Sequence, residues 1–246
     1  MLRHTALFLH RDTISEGQRL AMLRGLAFLR MECAGVRAGD YGPDLFGGSS
    51  PLLAVPPWRR VPRWRARPEG PPSNYDAALH LDFDDEGALA RYLAGEARCA
   101  VACFNAAVNV PELTARVEWR YDGAPLVRRG LVRHTATFVW ADAADAGARS
   151  RALAAARGLA DAPGVVSAAA GENLGFDFTV AGESAEGRSA ARRAANFDWV
   201  LDVQAADVPA ARGLVEGPRY AAAMDLIARA TKYEWTARVT HVMRGY

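Results

Sequence analysis

The chain repeats itself, and that limits its possible folds more than any other feature. Leu2-Arg3-His4-Thr5-Ala6-Leu7-Phe8 returns as Val132-Arg133-His134-Thr135-Ala136-Thr137-Phe138, 130 positions later. Thr114-Ala115-Arg116-Val117 returns unchanged as Thr236-Ala237-Arg238-Val239, 122 positions later. Between them, Gly35-Val36 answers Gly164-Val165 at an offset of 129, and Tyr75-Asp76 answers Phe197-Asp198 at 122. Matches in one order at nearly constant offset mark a tandem duplication, so each half must be able to adopt the same unit. The drop in offset from 129 to 122 gives the first half the longer central loop.

Residue patterning gives that unit a shape. Residues 2–10 are rich in apolar and β-forming residues and predict a strand. Ser15 then opens a predicted helix to about Met31, with Leu20, Leu23, Leu26 and Phe28 as core positions. Gly35 closes it. Strands are predicted at 36–41, 75–83 and 113–121, with helical stretches at 86–93 and 97–108. Asp84-Asp85 places negative charge at the start of the second helical stretch, where the helix dipole favours it. The second half predicts strands at 131–140, 165–171, 197–204 and 234–243, with helices at 147–160 and 207–229. The order is β-α-β-β-α-β twice, which is ferredoxin-like α+β. The expected units are 1–122 and 126–246, joined at the turn-like Asp122-Gly123-Ala124-Pro125. A four-stranded sheet with helices on one face leaves its other face bare. At about 25 cal/mol per Å2 of apolar surface, covering it stabilises strongly. The two antiparallel sheets are therefore expected to pair as an intramolecular α+β barrel, either as a monomeric pseudo-dimer or as a homodimer of it.

Composition narrows the function. Half of the residues are apolar, and the net charge is only +2, which argues against nucleic acid as the main partner. No apolar run approaches the roughly 20 residues of a membrane span, and the expected location is cytoplasmic. Cys33, Cys99 and Cys103 are too few and too unevenly placed for a disulfide framework. Cys99 and Cys103, four apart on one helix face, are expected to be small core residues. No phosphate loop, dinucleotide fingerprint, zinc spacing or nucleophile elbow is present, so neither a metal nor another cofactor is expected.

The Arg-His opening strand, the Gly-Val second strand, the Tyr-Asp third strand and the Leu81-Asp82-Phe83-Asp84-Asp85 turn into a helix resemble the stress-responsive A/B barrel (Dabb) family. The resemblance spans residues 2 to 121 and, more weakly, 131 to 243. It implies sheets that pair as in the family's homodimers. It also implies functions ranging from stress-linked assemblies to plant polyketide cyclases, which close an aromatic ring without a cofactor. In those cyclases a first-strand histidine works with a helix histidine. The first position matches His4 and His134. The family's Tyr-x-x-His-Pro-x-His stretch falls at Tyr92 to Arg98, which keeps Tyr92 and replaces the histidines by Gly95 and Arg98. In the second half Gly217 and Tyr220 stand at those positions.

The candidate catalytic residues are accordingly His4, His134, Tyr92, Arg98 and Tyr220. A histidine titrating near neutrality can act as a general base, an arginine can stabilise an enolate, and a tyrosine can give a proton. The structural alternative for each histidine is a hydrogen-bonded position in the sheet. His80 shares a strand face with Asp76, Ala78 and Asp82 and is expected between the sheets, with His241 on the last strand where the first half has Trp119. His10 is expected to be exposed. The 42–74 segment interleaves arginine with Trp58 and Trp64, which suits anionic aromatic ligands by charge and stacking, or a packing arm. Trp58, Trp64, Tyr75 and His80 are the candidate substrate-binding residues. The expected function is a cofactor-independent enzyme of small-molecule metabolism, acting on a polyketide-like or phenolic compound by cyclisation or proton transfer. The alternative is a non-catalytic small-molecule-binding or stress-associated barrel. A haem-binding relative of the same shape rests on fold analogy alone.

Overall fold

A computed structural model describes residues 1–11, 13–46, 75–122, 129–175 and 197–244. Trp58, Trp64 and the Asp122 to Pro125 boundary beyond Asp122 lie outside the described residues. The first half runs β1 (Leu2–Phe8), α1 (Glu16–Glu32), β2 (Val36–Pro43), β3 (Ala77–Phe83), α2 (Glu86–Ala94), α3 (Glu96–Val108) and β4 (Ala115–Arg120). The second runs β5 (Val132–Phe138), α4 (Ala146–Arg157), β6 (Val165–Glu172), β7 (Trp199–Ala205), α5 (Val208–Val215), α6 (Pro218–Ala228) and β8 (Ala237–Val242). The sheets are ordered β2-β3-β1-β4 and β6-β7-β5-β8, the same topology twice, and every pairing is antiparallel.

Local chemistry explains the elements. Ser15 and Gln18 form a reciprocal capping box at the start of α1. Asp85, Asp145 and Asp207 cap α2, α4 and α5 through their side chains. Gly35 and Gly164 hold equivalent turns with φ of +91° and +76°, where a side chain would also meet Ala88 or Ala210. The apolar face of α1 is Met22, Leu23, Leu26 and Leu29. Leu20 and Phe28, expected in the core, are exposed, because burial follows the 22-26-29 row and turns them aside. The helix expected at 207–229 is two helices, broken where Gly217-Pro218 interrupts the hydrogen-bond ladder. Cys103 is exposed and Cys99 only half-buried, so neither is a core residue. His10 is buried against Asn109 at 2.7 Å, contrary to the expected exposure, because the isolated bridge between these two residues covers it.

The bare sheet faces meet. Leu7, Ala78, Val117 and Trp119 of one sheet pack with Val200, Ala237 and Val239 of the other. The edges are joined too. Leu45 N donates to Thr240 O at 2.6 Å and Leu174 N to Glu118 O at 2.7 Å, two equivalent seams that close the barrel. Its interior also holds a layer of charge. Arg3 donates to Asp82 within its own sheet and to Asp202 of the other sheet, while Arg133 pairs with Asp40 and Asp202. His241 contacts Asp40 at 2.7 Å. Burial works to raise the Asp40 carboxyl, but His241 and Arg133 outweigh it and hold it below its ordinary value. Pairing of this kind is what allows charge inside a barrel, since an unpaired buried ion costs several kcal/mol.

Candidate functional site

Strand alternation sends Arg3, Thr5 and Leu7 into the barrel and His4, Ala6 and Phe8 towards the helices. On the helix side of the first half lies a cavity of about 110 Å3. The strands contribute His4, Ala6, Phe8, Leu79 and Arg116 to its lining. The helices contribute Leu29, Tyr92, Arg98, Val101, Ala102 and Asn105. This volume is less than the roughly 150 Å3 of an apolar cavity that admits benzene, so the space takes at most a compact ligand of one ring, and only with some give in its lining.

The β1–β4 register sets His4 directly opposite Glu118. His4 Nδ1 lies 2.6 Å from Glu118 Oε1, and Glu118 is fully buried. Burial, then Arg98 and Arg116, push the His4 imidazole down to about 3. Burial raises the Glu118 carboxyl well above its ordinary value, against the pull of Arg116 and Arg98. The imidazole therefore rests neutral beside a carboxyl that accepts a proton readily. Such a pair can pass one proton between its members across a short hydrogen bond. The Tyr92 ring sits 5.7 Å from the His4 ring, centroid to centroid, and burial raises its phenol. Tyr92 thus remains a proton donor at any physiological pH.

His134 occupies the same strand position in a different setting. Its Nδ1 lies 2.8 Å from Thr240 Oγ1 and its Nε2 2.8 Å from the Tyr220 hydroxyl. Burial, then Arg238, lower the imidazole to about 3. Tyr220, Ala223, Met224, Ile227 and Tyr233 are buried together in the core of this unit. At the 122-residue offset, four of these stand where the first half has Arg98, Ala102, Asn105 and Pro111. Larger or less polar side chains therefore occupy the space that is open in the first half.

The remaining candidates lie elsewhere. His80 is inside the barrel, 3.2 Å from Thr5 Oγ1 and 3.3 Å from Thr135 Oγ1, with its ring stacked on His241. Burial, then Arg133, lower its pKa well below the ordinary value. Tyr75 packs between the sheets and donates to Leu113 O at 2.6 Å. The structure thus brings together His4, Tyr92 and Arg98 and places Tyr220 on His134, but it does not bring His80 or Tyr75 to the cavity. Sequence reasoning missed Glu118 and Asn105. A signal for Glu118 was present: it directly follows the repeated Thr-Ala-Arg-Val block, and Thr240 replaces it in the second half.

No family model matches the chain, and no curated protein matches it. Among solved structures, one from Fusobacterium nucleatum described as a "putative monooxygenase" superposes with a TM-score of 0.56 at 7% identity, over 99% of this chain and 92% of that one. The chain is a tandem of two ferredoxin-like units. A protein of the same description from Lactobacillus acidophilus NCFM gives 0.48 at 13% identity, over 99% of this chain and 92% of its own. A dimeric ferredoxin-like protein of unknown function from Thermobifida fusca YX matches 49% of this chain with 99% of its own, at a TM-score of 0.36 and 21% identity. At these identities the likeness is one of fold. Among the described residues no helix is long and apolar enough to cross a membrane, and no group of three or more His, Cys, Asp or Glu is placed to hold a metal ion.

Proposed function

We propose that this chain is a tandem stress-responsive A/B barrel protein, with units 1–122 and 126–246, whose first unit catalyses proton transfer on a small phenolic carbonyl compound. The observation that carries the reading is the cavity in which His4, backed by Glu118 at 2.6 Å, meets Tyr92 and Arg98. With Nδ1 committed to Glu118, exchange with a ligand falls to Nε2. Burial favours the form in which Glu118 keeps its proton; the reactive form is the minor one, with Glu118 a carboxylate and the proton on Nδ1, and in it Nε2 acts as the base. It takes a proton from the carbon beside a carbonyl, the C–H electron pair becomes the C=C bond of an enolate, the carbonyl π pair moves to oxygen, and Glu118 stabilises the resulting imidazolium. Arg98 offsets the charge of the enolate, and Tyr92 donates a hydrogen bond to it. Returning the proton to carbon completes an isomerisation or exchange. If the enolate carbon instead attacks a second carbonyl of the same molecule, a C–C bond closes a ring, that carbonyl's π pair moves to its oxygen, and the alkoxide takes the proton held on Nε2. The cavity volume favours a one-ring phenolic substrate over an extended polyketide.

His134 and Tyr220 hold each other in the second unit and are assigned a structural role. The test is hydrogen–deuterium exchange at the carbon next to the carbonyl in 4-hydroxyacetophenone and 4-hydroxyphenylpyruvate, followed by NMR in D2O. Catalysed exchange that is lost in Glu118→Gln supports the assignment. Tight binding of these compounds with only background exchange would instead establish the alternative, a binding barrel without catalysis.

A further inference from the structure

We infer that the first-unit cavity selects a one-ring anion that also carries a hydrogen-bond donor, the class of hydroxyaryl carboxylates. This rests on the proposed function for the site but not for its chemistry, because binding is measured apart from turnover.

Charge gives the first half of the argument. Two guanidiniums, Arg98 and Arg116, line a cavity to which no described residue contributes a carboxylate, and Glu118, which contacts the lining residue His4, is pressed towards its neutral form by burial. A guanidinium presents five N–H donors in a fixed fork, so a partner elsewhere does not exhaust it. A small carboxylate in this space meets a positive field in a poorly solvated setting, where such pairing is strong.

The second half is an amide. Asn105 is more than nine-tenths buried, lines the cavity, and its Oδ1 has no hydrogen-bond partner. Asn109, one turn further on, also lines the cavity, but it is committed to His10 at 2.7 Å and to Met22 Sδ at 3.6 Å. A buried acceptor left alone is costly, and a turn of the Asn105 amide towards the cavity that the residue lines would offer it to a ligand hydroxyl or N–H. The duplicate supplies an internal control. Where the second unit closes this space, Arg98 becomes Tyr220 and Asn105 becomes Ile227, whereas Arg116 persists as Arg238. The fold therefore forms without the first two polar groups, and they occur where the cavity is open.

Geometry orders the ligand. Arg98 and Asn105 are seven residues apart on α3, which puts them on one face about 10 Å apart along the axis. A carboxylate and a donor at opposite ends of one ring span such a gap with help from side-chain reach, which favours the para arrangement.

The experiment is calorimetric titration of the full chain with 4-hydroxybenzoate, benzoate and 4-hydroxybenzamide. The expected result is 4-hydroxybenzoate binding at least about tenfold tighter than either of the others. Asn105→Leu should reduce 4-hydroxybenzoate to the affinity of benzoate, and Arg98→Gln should reduce it to that of the amide, with circular dichroism confirming folding. Equal binding of 4-hydroxybenzoate and its amide in the unaltered protein overturns the inference whether or not the variants fold. So does unchanged affinity in a folded Arg98→Gln. Selective binding without deuterium exchange would remove the catalytic reading and leave this one standing. Exchange without anion preference would do the reverse.

Discussion

His4 and His134 begin from the same residue quartet, the same strand and the same cross-strand register, yet they end in different chemistry. In the first unit the facing residue is Glu118 and the helix above opens a cavity. In the second it is Thr240, and Tyr220, Met224 and Ile227 close the space. The backbone is common to both, so the divergence lies in a handful of side chains on β4 and α3 against β8 and α6. One copy of a duplicated fold can keep a packed, stable interior while the other keeps room for a ligand.

The sharpest way to break this contrast is kinetic. His4→Gln should lower catalysed deuterium exchange by about 10²- to 10⁴-fold, the span of a lost general base, while His134→Gln should leave it within a few-fold. Comparable losses in both variants would show that the two units share the chemistry.

Stability gives the next largest contrast. Met224→Ala in the filled unit should cost about 2–5 kcal/mol by leaving a cavity. The opposite change, Ala102→Met, fills space that is already empty and should cost less than about 1.5 kcal/mol while abolishing 4-hydroxybenzoate binding. Urea unfolding measures both, and a mild Met224→Ala would show that the second unit is also hollow.

Acid should act more simply on the second histidine. Its folded-state value of about 3 lies below the ordinary 6.5, so the unfolded chain takes up that proton first. Stability is then lost as pH falls from 6.5 towards 3, by about 1.4 kcal/mol per pH unit for this one group. His134→Gln should flatten the slope by that amount in denaturation measured at pH 6 and pH 5. The His4 share is masked by Glu118. That carboxyl is raised in the fold, so its contribution is greatest below about 4.5 and is lost as pH rises through the folded value. Equal flattening by His4→Gln and His134→Gln would mean that the two histidines sit in like environments.

The smallest expected effect is Tyr220→Phe. It removes the partner of His134 Nε2 and should cost about 1 kcal/mol in thermal or urea unfolding, with no change in exchange rate. A drop in rate would return Tyr220 to the catalytic set.

Much of the architecture could be read from the sequence because duplication supplies its own alignment, and glycines such as Gly35 and Gly164 mark turns that tolerate little else. The face of α1 was misread at Leu20 and Phe28 because apolar residues occur around much of that helix, and only the packing against the sheet decides which row is buried. The candidate site was half legible. His4, Tyr92 and Arg98 emerged from position in the repeat and from resemblance, but Glu118 depends on β1 and β4 lying side by side in one register, a relation 114 residues apart in sequence. Asn105 was invisible for a related reason: an asparagine in a helix declares nothing until its surroundings show the amide stranded.

The bridging role of Asp202 between Arg3 and Arg133 has a consequence for how such a barrel can change. In a two-fold homodimer every substitution at the subunit boundary appears twice and must suit its own mirror position. Covalent fusion lifts that requirement. The counterpart of Asp202 at the 122-residue offset is His80, not a second aspartate, so one acid serves both arginines while the other position explores different chemistry. Joining the halves thus frees each to mutate singly, and the unlike fates of the two strand histidines are what that freedom permits.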